Sequence, residues 1–324
     1  MKKILLYSLL TIIILVVTLI SYVKLALPNV GEAEDLKIAY TPERVAHGKY
    51  LAHAVAACMD CHSTRDWSKF AGPLTEGTLG KGGEVFPEEF GFPGTFYSKN
   101  ITPYSIGDWT DGELLRAITS GVNKNGEALF PVMPHAAYGK ADREDIYDII
   151  AYLRSLPAIK NDVPTSEASF PMNIIINTFP TKAEFSKKPN KSDKLAYGKY
   201  LFTMASCTEC HTKQDKGTPI EGMEMAGGFE FPLPNGTVRS ANLTPDKETG
   251  IGNWNEEFFV KRFKMYTDSG YVDPIVTPIS FQTVMPWKMY AQMEEGDLQA
   301  IFAYLQSIKP IKNKVEKFTA ATAK

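Results

Sequence analysis

The chain opens with an uncharged, largely apolar run over residues 4–23, preceded by two lysines. A helix of about 20 residues spans about 30 Å, the hydrocarbon thickness of a bilayer. A cleaved signal peptide is the alternative, but its apolar core is shorter, about 7–15 residues, and ends at a small-residue cleavage site. This run is longer and no good site follows it. We predict a membrane-spanning anchor over residues 1–24, with the lysines in the cytoplasm and the rest of the chain outside.

Beyond the anchor, apolar residues recur at the three- and four-residue spacing of amphipathic helices. Residues 110–113 have the form of a capping box, which predicts a helix that buries Leu114, Leu115 and Ile118. The other predicted helices cover residues 43–58, the segment from Asp142 to Pro157, residues 193–207, the segment after Asn255 and the segment around Leu298 to Leu305. We therefore predict an all-α fold with long connecting loops.

The chain contains an internal repeat with a period of about 150 residues. G-K-Y-L occurs at positions 48 and 198, N-x-T-P at 100 and 242, G-x-W at 107 and 252, V-M-P at 132 and 284, and A-Y-L at 151 and 303. Two homologous tandem domains explain these matches. The predicted organisation is an anchor at 1–24, a polar tether at 25–37, a first domain at 38–156, a linker at 157–194, a second domain at 195–310 and a tail at 311–324.

The linker is rich in Pro, Lys, Asn and Ser, which is typical of a connecting segment. Its residues 172–176 are too apolar to stay in water, and we expect them to pack at the interface between the two domains. Residues 312–324 are mildly basic and are predicted to be disordered.

Each half carries one C-x-x-C-H motif, at residues 58–62 and 207–211, and the two motifs use all four cysteines. This spacing is typical of covalent c-type haem attachment, in which two thiols hold the porphyrin and the histidine ligates iron. A thioredoxin-like pair would need no adjoining histidine, and a zinc site would have to join motifs about 150 residues apart. The motifs therefore predict two covalently attached haem c groups, bound by Cys58, Cys61, His62, Cys207, Cys210 and His211.

The cysteines also bear on the compartment. Haem c is attached outside the cytoplasm, and no cysteine remains for a disulfide. The simplest prediction is a single-pass protein of the inner membrane whose haem domains face a Gram-negative periplasm.

The second axial ligand decides what each iron can do, because a methionine thioether closes the site and an open side binds peroxide or gas. Of the 11 methionines, Met133 and Met285 occupy matching positions, each before a proline and just ahead of the last helix, 71 and 74 residues after the histidine. His135 is a rival, but its counterpart Trp287 cannot ligate iron, so we expect His135 at the surface or beside a ligand. His47 and His53 are expected to be solvated or packed. The predicted metal ligands are His62, Met133, His211 and Met285.

The order of these motifs resembles tandem class I c-type cytochromes, as in the haem domains of cytochrome subunits of membrane-bound alcohol, aldehyde and gluconate dehydrogenases. Several of those subunits have three haem motifs where this chain has two. The resemblance implies that the first and last helices cross at Gly48 and Gly198, and that a proline carbonyl orients the histidine. It implies roles for these residues: Pro73 and Pro219 as the carbonyls, Tyr50, Tyr152, Tyr200 and Tyr304 in packing, and Trp109, Trp254 and Arg239 at haem propionates.

Two closed His–Met sites predict an electron carrier rather than an enzyme. The expected partners are the membrane, a redox donor and a redox acceptor, and a dehydrogenase or oxidase complex is possible. A dihaem peroxidase is the enzymatic alternative and would need one open haem; a dihaem subunit of a terminal oxidase is another. Each predicted domain has four more acidic than basic residues, which favours a basic docking partner and disfavours nucleic acid.

Overall fold

A computed structural model describes residues 1–215 and 217–321. Its first element is helix α1 (Lys2–Leu25), none of whose residues is buried. The most apolar 18-residue window of this helix has a mean hydropathy of 2.7, and the helix is long enough to cross a membrane. The predicted anchor is therefore a single continuous helix, of a length and composition that a signal sequence can share.

We call residues 38–156 the first repeat and residues 195–310 the second repeat. The first repeat contains α2 (Pro42–Tyr50) with a π-helical turn (Leu51–Val55), α3 (Cys58–Cys61), β1 (Val85–Phe86), a 3-10 turn (Glu88–Phe90), β2 (Gly94–Tyr97), α4 (Pro103–Ile106), α5 (Asp111–Ser120), α6 (His135–Tyr138) and α7 (Arg143–Ser155). Between the repeats lie β3 (Glu167–Ala168), α8 (Met172–Ile175) and a 3-10 turn (Ile176–Thr178). The second repeat and the tail contain α9 (Lys194–Met204), α10 (Cys207–His211), β4 (Gln214–Asp215), β5 (Thr218–Pro219), β6 (Glu230–Leu233), β7 (Gly236–Arg239), α11 (Glu256–Lys264), α12 (Trp287–Tyr290), α13 (Glu295–Ser307) and β8 (Phe318–Ala320).

Side-chain caps explain where the main helices begin. Thr110 caps α5 and Glu113 bonds back to the Thr110 backbone, which confirms the predicted capping box. Asp142 caps α7, Asp193 caps α9 and Asn255 caps α11. The predicted helix starts at these positions are confirmed.

The first and last helices of each repeat cross at a glycine, as the resemblance implies. A Cβ atom on Gly48 would lie 1.8 Å from the carbonyl oxygen of Asp148, and one on Gly198 would lie 1.9 Å from that of Ala300. No side chain fits at such distances, so only glycine allows α2 to meet α7 and α9 to meet α13 this closely.

The all-α prediction is not confirmed, because the described residues also form three small antiparallel sheets. Strand β2 of the first repeat pairs with β1 and with β3, and strand β7 of the second repeat pairs with β6 and with β8. A two-residue hairpin, β4–β5, forms the third sheet. Strands of two to four residues are too short to show a clear alternating pattern in sequence, which is why the helical pattern dominates.

The outer strands come from segments that were predicted to be a linker and a disordered tail. Strand β3 follows the first repeat and pairs with β2 at Gly94. Strand β8 follows the second repeat and pairs with β7 at Gly236. Each glycine has a positive φ, 140° and 143°, and lies against the added strand. The prediction of a disordered tail is therefore wrong for the described part, and residues 322–324 lie outside the described residues.

The apolar segment 172–176 does not lie between the repeats as expected. It packs against the end of the anchor, where Lys24 Nζ donates to the Asn173 carbonyl at 2.7 Å and Asn177 Nδ2 donates to the Val23 carbonyl at 3.1 Å. The anchor thus offers this segment an apolar neighbour that the sequence pattern alone did not identify.

The two repeats contact each other through reciprocal tyrosine–aspartate hydrogen bonds. Tyr50 donates to Asp297 at 2.6 Å, and Tyr200 donates to Asp145 at 2.5 Å. Tyr50 and Tyr200 were expected only to pack. Their hydroxyls also join one repeat to the other.

Candidate haem-attachment sites

Each C-x-x-C-H motif forms a one-turn helix, α3 or α10, that is entered through a residue with left-handed backbone. These residues are Ala57, with φ of 48°, and Ser206, with φ of 53°. Because helical residues three apart lie on one face, the two thiols of each motif lie on the same side of the turn. This is the arrangement that two thioether bonds to a single ring require.

The two motif histidines are oriented in the same way. Nδ1 of His62 lies 2.6 Å from the carbonyl oxygen of Lys99, and Nδ1 of His211 lies 2.8 Å from that of Ala241. A carbonyl oxygen only accepts, so Nδ1 carries the proton and Nε2 keeps its lone pair for a metal. Burial lowers the pKa of both rings, which favours the neutral, ligating form.

The implied proline carbonyls are not the partners of these histidines. The carbonyl of Pro73 accepts from the Asp66 backbone N–H, and Pro219 lies in β5. The histidines instead reach the loops that precede Asn100 and Asn242, because those loops return past the motif. A partner in a distant loop cannot be assigned from spacing.

The N-x-T-P motifs hold those carbonyl-bearing loops in place, a role that the sequence reasoning missed. Asn100 Nδ2 donates to the Ile159 carbonyl at 2.8 Å, and its Oδ1 accepts from Thr102 N–H at 2.9 Å. Asn242 makes the equivalent bonds to Ile311 and Thr244, at 2.8 and 2.9 Å. Both asparagines are buried. The signal that could have identified them was the occurrence of the N-x-T-P motif in both repeats, shortly before the tryptophan.

The state of the thiols argues against the other uses of C-x-x-C. Burial raises the pKa of Cys58, Cys61 and Cys207 to about 12 and that of Cys210 to about 11. A redox-active pair needs a thiol with a lowered pKa. Across residues 1–215 and 217–321, the clustered side chains that could hold a metal ion include no cysteine, so no zinc site joins the two motifs.

Tyrosine hydroxyls tie the segment after each candidate methionine to the segment before each pair of cysteines. Tyr138 donates to the Ala56 carbonyl at 3.0 Å, and Tyr290 donates to the Ala205 carbonyl at 2.8 Å. Burial raises the pKa of both tyrosines, so the hydroxyls stay protonated as donors. These bonds bring the methionine-bearing segment and the attachment helix of each repeat together.

Met133 and Met285 lie in loops of matching geometry. The carbonyl of each accepts a 2.8 Å hydrogen bond from the N–H two residues ahead, on His135 and on Trp287. A one-turn helix, α6 or α12, then separates each methionine from the last helix, so the methionine is not directly ahead of that helix as expected. Axial ligation by these two methionines remains a prediction.

His135 is not a surface residue, because its side chain is only 2% exposed. Its ring covers Gly121 at the end of α5, where a Cβ atom added to this glycine would lie 2.7 Å from the ring atoms. Burial lowers the pKa of His135. It is therefore a neutral packing residue.

His47 and His53 are both packed, with His47 Nδ1 2.8 Å from Asp148 and His53 Nε2 2.7 Å from the hydroxyl of Tyr152.

The residues implied at propionates have other contacts. Arg239 donates to Glu230 at 2.7 Å and to Thr319 of the tail strand at 2.9 Å. Trp109 and Trp254 are half-buried against the core. Arg239 thus secures the tail strand.

A buried ion cluster distinguishes the first attachment site from the second. Arg65 lies 2.7 Å from Asp60 and 2.9 Å from Glu84, and its guanidinium covers Trp67 at 4.1 Å. Burial raises the pKa of Asp60 to about 6, although Arg65 opposes the shift. The second repeat has the neutral Gln214 in place of Arg65. Sequence reasoning missed this difference in charge.

The donor set and its surroundings fit haem c. Each site offers two neutral thiols on one helical turn and a histidine with Nε2 free of hydrogen bonds to described residues. Half-buried apolar side chains that pack against the core include Leu74, Leu79, Ile101, Trp109 and Met133 in the first repeat and Leu243 and Trp254 in the second.

Comparison with known proteins agrees with this chemistry. Residues 195–309, which lie within the second repeat, match the cytochrome c family model. The chain is 27% identical over 296 residues to the cytochrome c subunit of a quinone alcohol dehydrogenase from Gluconacetobacter polyoxogenes, covering 85% of this chain and 58% of that relative. It is 28% identical over 282 residues to the gluconate 2-dehydrogenase cytochrome c subunit from Pantoea cypripedii, covering 82% and 59%.

A third relative has a more similar length. It is named a diheme cytochrome c-type protein, from Cereibacter sphaeroides, and is 27% identical over 264 residues, covering 78% of this chain and 82% of the relative. The chain thus spans somewhat more than half the length of the two dehydrogenase subunits. Two of these three relatives are thus named as cytochrome c subunits of dehydrogenases, and the third is named as a diheme cytochrome c.

Proposed function

We propose that this chain is a membrane-anchored dihaem c-type cytochrome that transfers electrons, with one class I cytochrome c domain in each repeat. The observation that carries the proposal is the matched orientation of His62 and His211, each with Nδ1 bonded to a loop carbonyl beside a one-turn C-x-x-C helix. The proposed axial pairs are His62 with Met133 and His211 with Met285. The domains are those predicted at 38–156 and 195–310, each extended by one strand.

The bound haem would supply reversible one-electron chemistry at iron. The residues of the chain would keep the surroundings of the iron unchanged between its oxidised and reduced states. The carbonyls of Lys99 and Ala241 fix the tautomer and orientation of the histidines, and buried Tyr138 and Tyr290 hold the methionine segments. A site that does not rearrange suits electron transfer better than catalysis.

The relatives support a partner of a particular kind. Two of them are named as cytochrome c subunits of dehydrogenases, so we propose that a dehydrogenase supplies the electrons and that this chain is its electron-accepting subunit. Helix α1 would hold the chain at the inner membrane with both haem domains in the periplasm. The acidic balance of both repeats suits a partner with a basic docking surface.

The experiment is an optical spectrum of the oxidised, haem-loaded protein, with and without peroxide. Two closed sites predict a methionine-to-iron charge-transfer band of two-haem intensity, which falls by half in Met133→Ala and by half in Met285→Ala. The spectrum should not respond to peroxide. A high-spin haem in the wild-type protein that turns over peroxide would replace this proposal with the dihaem peroxidase. Co-purification with an oxidase instead of a dehydrogenase would indicate the terminal-oxidase alternative.

A further inference from the structure

A loop of the first repeat pairs with the loop that leads to Met285 in the second repeat. The N–H of Phe70 donates to the Pro274 carbonyl at 2.8 Å, and the N–H of Val276 donates to the Ser68 carbonyl at 2.8 Å. The Phe70 ring also stacks on Tyr266, with ring centroids 6.3 Å apart. Backbone pairing of this kind fixes one loop against the other.

Gln282 lies at the end of this contact and is only 4% exposed. Its Oε1 accepts from the N–H of Ala71 at 2.8 Å, and its Nε2 donates to the Lys69 carbonyl at 3.0 Å and, at 3.3 Å, to the Trp67 carbonyl. One side chain of the second repeat therefore satisfies three backbone groups of the first. A buried amide with all these bonds made is rigid, because losing any bond leaves a polar group unpaired.

The same side chain is linked to the candidate methionine through its neighbour. Oε1 of Gln282 also accepts from the N–H of Thr283 at 3.0 Å, and Oγ1 of Thr283 accepts from the N–H of Met285 at 3.1 Å. A continuous series of hydrogen bonds thus runs from the first repeat to the backbone of Met285.

The first repeat holds its own methionine loop differently. Phe130 occupies the position that matches Gln282, counted back three residues from Met133. Its ring stacks on Phe96 of the same repeat, with centroids 4.1 Å apart. The loop with Met133 is therefore held by apolar packing within its own repeat, whereas the loop with Met285 is held by hydrogen bonds to the other repeat.

We propose that Gln282 is a positioning residue through which the first repeat holds Met285 over the second haem. The proposal rests on the proposed function, in which Met285 is the axial ligand of that haem. It implies an asymmetry between the haems: methionine ligation of the second depends on contact between the repeats, and methionine ligation of the first does not. Because methionine ligation raises the potential, loosening this contact lowers the potential of the second haem only.

The test compares variants of the full-length, haem-loaded protein by the charge-transfer band and by redox titration. Gln282→Met keeps the length of the side chain and removes its hydrogen bonds, and Thr283→Val is a milder change that removes the bond to Met285. Both should lose up to half of the band and lower one of the two midpoint potentials.

Gln306→Met is the matched control, because Gln306 Nε2 donates to the Ile251 carbonyl at 3.0 Å within the second repeat. It should keep the full band and both potentials. If Gln282→Met and Thr283→Val behave like this control while Met285→Ala loses half of the band, the positioning role is wrong and the ligand assignment stands. If Met285→Ala keeps the full band, the ligand assignment and the positioning role are both wrong.

Discussion

The hydroxyl of Tyr50 donates a 2.6 Å hydrogen bond to the carboxylate of Asp297 across the contact between the repeats. Asp297 is 1% exposed, so its charge needs such partners. The same hydroxyl accepts from the N–H of Glu294, at the start of α13, at 3.0 Å. Burial raises the pKa of Tyr50 well above its usual range, so the hydroxyl remains a donor.

The second repeat makes the equivalent contact to the first repeat. Tyr200 donates to Asp145 at 2.5 Å and accepts from the N–H of Asp142 at 3.0 Å. Lysines of the segment between the repeats supply the countercharges: Lys188 lies 2.5 Å from Asp145, and Lys191 lies 3.3 Å from Asp297. The arrangement is that of a two-fold interface formed within one chain, since equivalent residues meet from both sides.

Replacing one of these tyrosines should weaken the contact between the repeats. Tyr50→Phe leaves Asp297 with fewer donors, and we expect it to lower the free energy of unfolding by about 1.5–3 kcal/mol, as for other hydrogen bonds to buried charges. Denaturant titration measures this change. The matched control is Tyr104→Phe, whose hydroxyl donates to Asp162 at an exposed site at 2.8 Å and should contribute less than about 0.5 kcal/mol. Equal effects in the two variants would contradict the role of burial.

The helix crossing in the second repeat should not tolerate a methyl group. Gly198→Ala would place a Cβ 1.9 Å from the Ala300 carbonyl, and separating the helices should cost about 1–3 kcal/mol or more. Gly296 in α13 has nothing within 4 Å of the same position, so Gly296→Ala should be neutral or stabilising by up to about 1 kcal/mol. Thermal unfolding of both variants, with haem content measured, checks the pair. A stable, fully loaded Gly198→Ala protein would show that the helices do not meet this closely.

The asparagine of the N-x-T-P motif should tune the second haem through His211. Asn242→Ala frees the loop that carries the Ala241 carbonyl and leaves buried partners unpaired, for a loss of about 1–3 kcal/mol in stability. Because that carbonyl sets the basicity of His211, one midpoint potential should shift while both haems remain attached. Asn253→Ala, which removes an exposed bond to the Lys247 carbonyl, is the control and should shift neither. Redox titration with a haem count distinguishes the variants.

His53 should make the folded protein sensitive to acid. Burial, helped by Lys49, lowers its pKa to about 4 from 6.5. The folded ring is neutral where the unfolded ring is protonated, so this part of the stability is present above pH 6.5 and is lost as the pH falls toward 4. For a half-buried ring partly screened by solvent, the loss should be about 1–2 kcal/mol.

His53→Phe tests this prediction with the residue that the second repeat uses at the same place, Phe202, which packs on Tyr304 with ring centroids 5.0 Å apart. Denaturant titrations at pH 7 and pH 4 should show a smaller loss of stability in the variant than in the wild-type protein. Asp66, Lys69, Asp273 and Lys288 line the same cleft, of about 600 Å³, and are present in both proteins. An equal loss in both would show that His53 is not the source of the acid sensitivity.

Several features could be predicted because each is a property of a short stretch of chain. The four-cysteine count, the position of each histidine after its second cysteine, the apolar length of α1 and the capping box at Thr110 need no knowledge of distant residues. The resemblance to class I c-type cytochromes also pointed to Gly48 and Gly198, because it implies that the first and last helices cross there. These signals were sufficient to predict two haem-attachment sites and to place the main helices.

The remaining features depend on which distant segments meet, and only the tertiary structure decided them. The partners of His62 and His211 are backbone carbonyls, which every residue has, so no side-chain pattern marks them. Strands β3 and β8 form because Gly94 and Gly236 accept a neighbouring strand, although neither segment shows a pattern of its own. The bond from Tyr50 to Asp297 joins residues 247 positions apart. Composition records which groups can form hydrogen bonds, but the path of the backbone determines which of them come within reach.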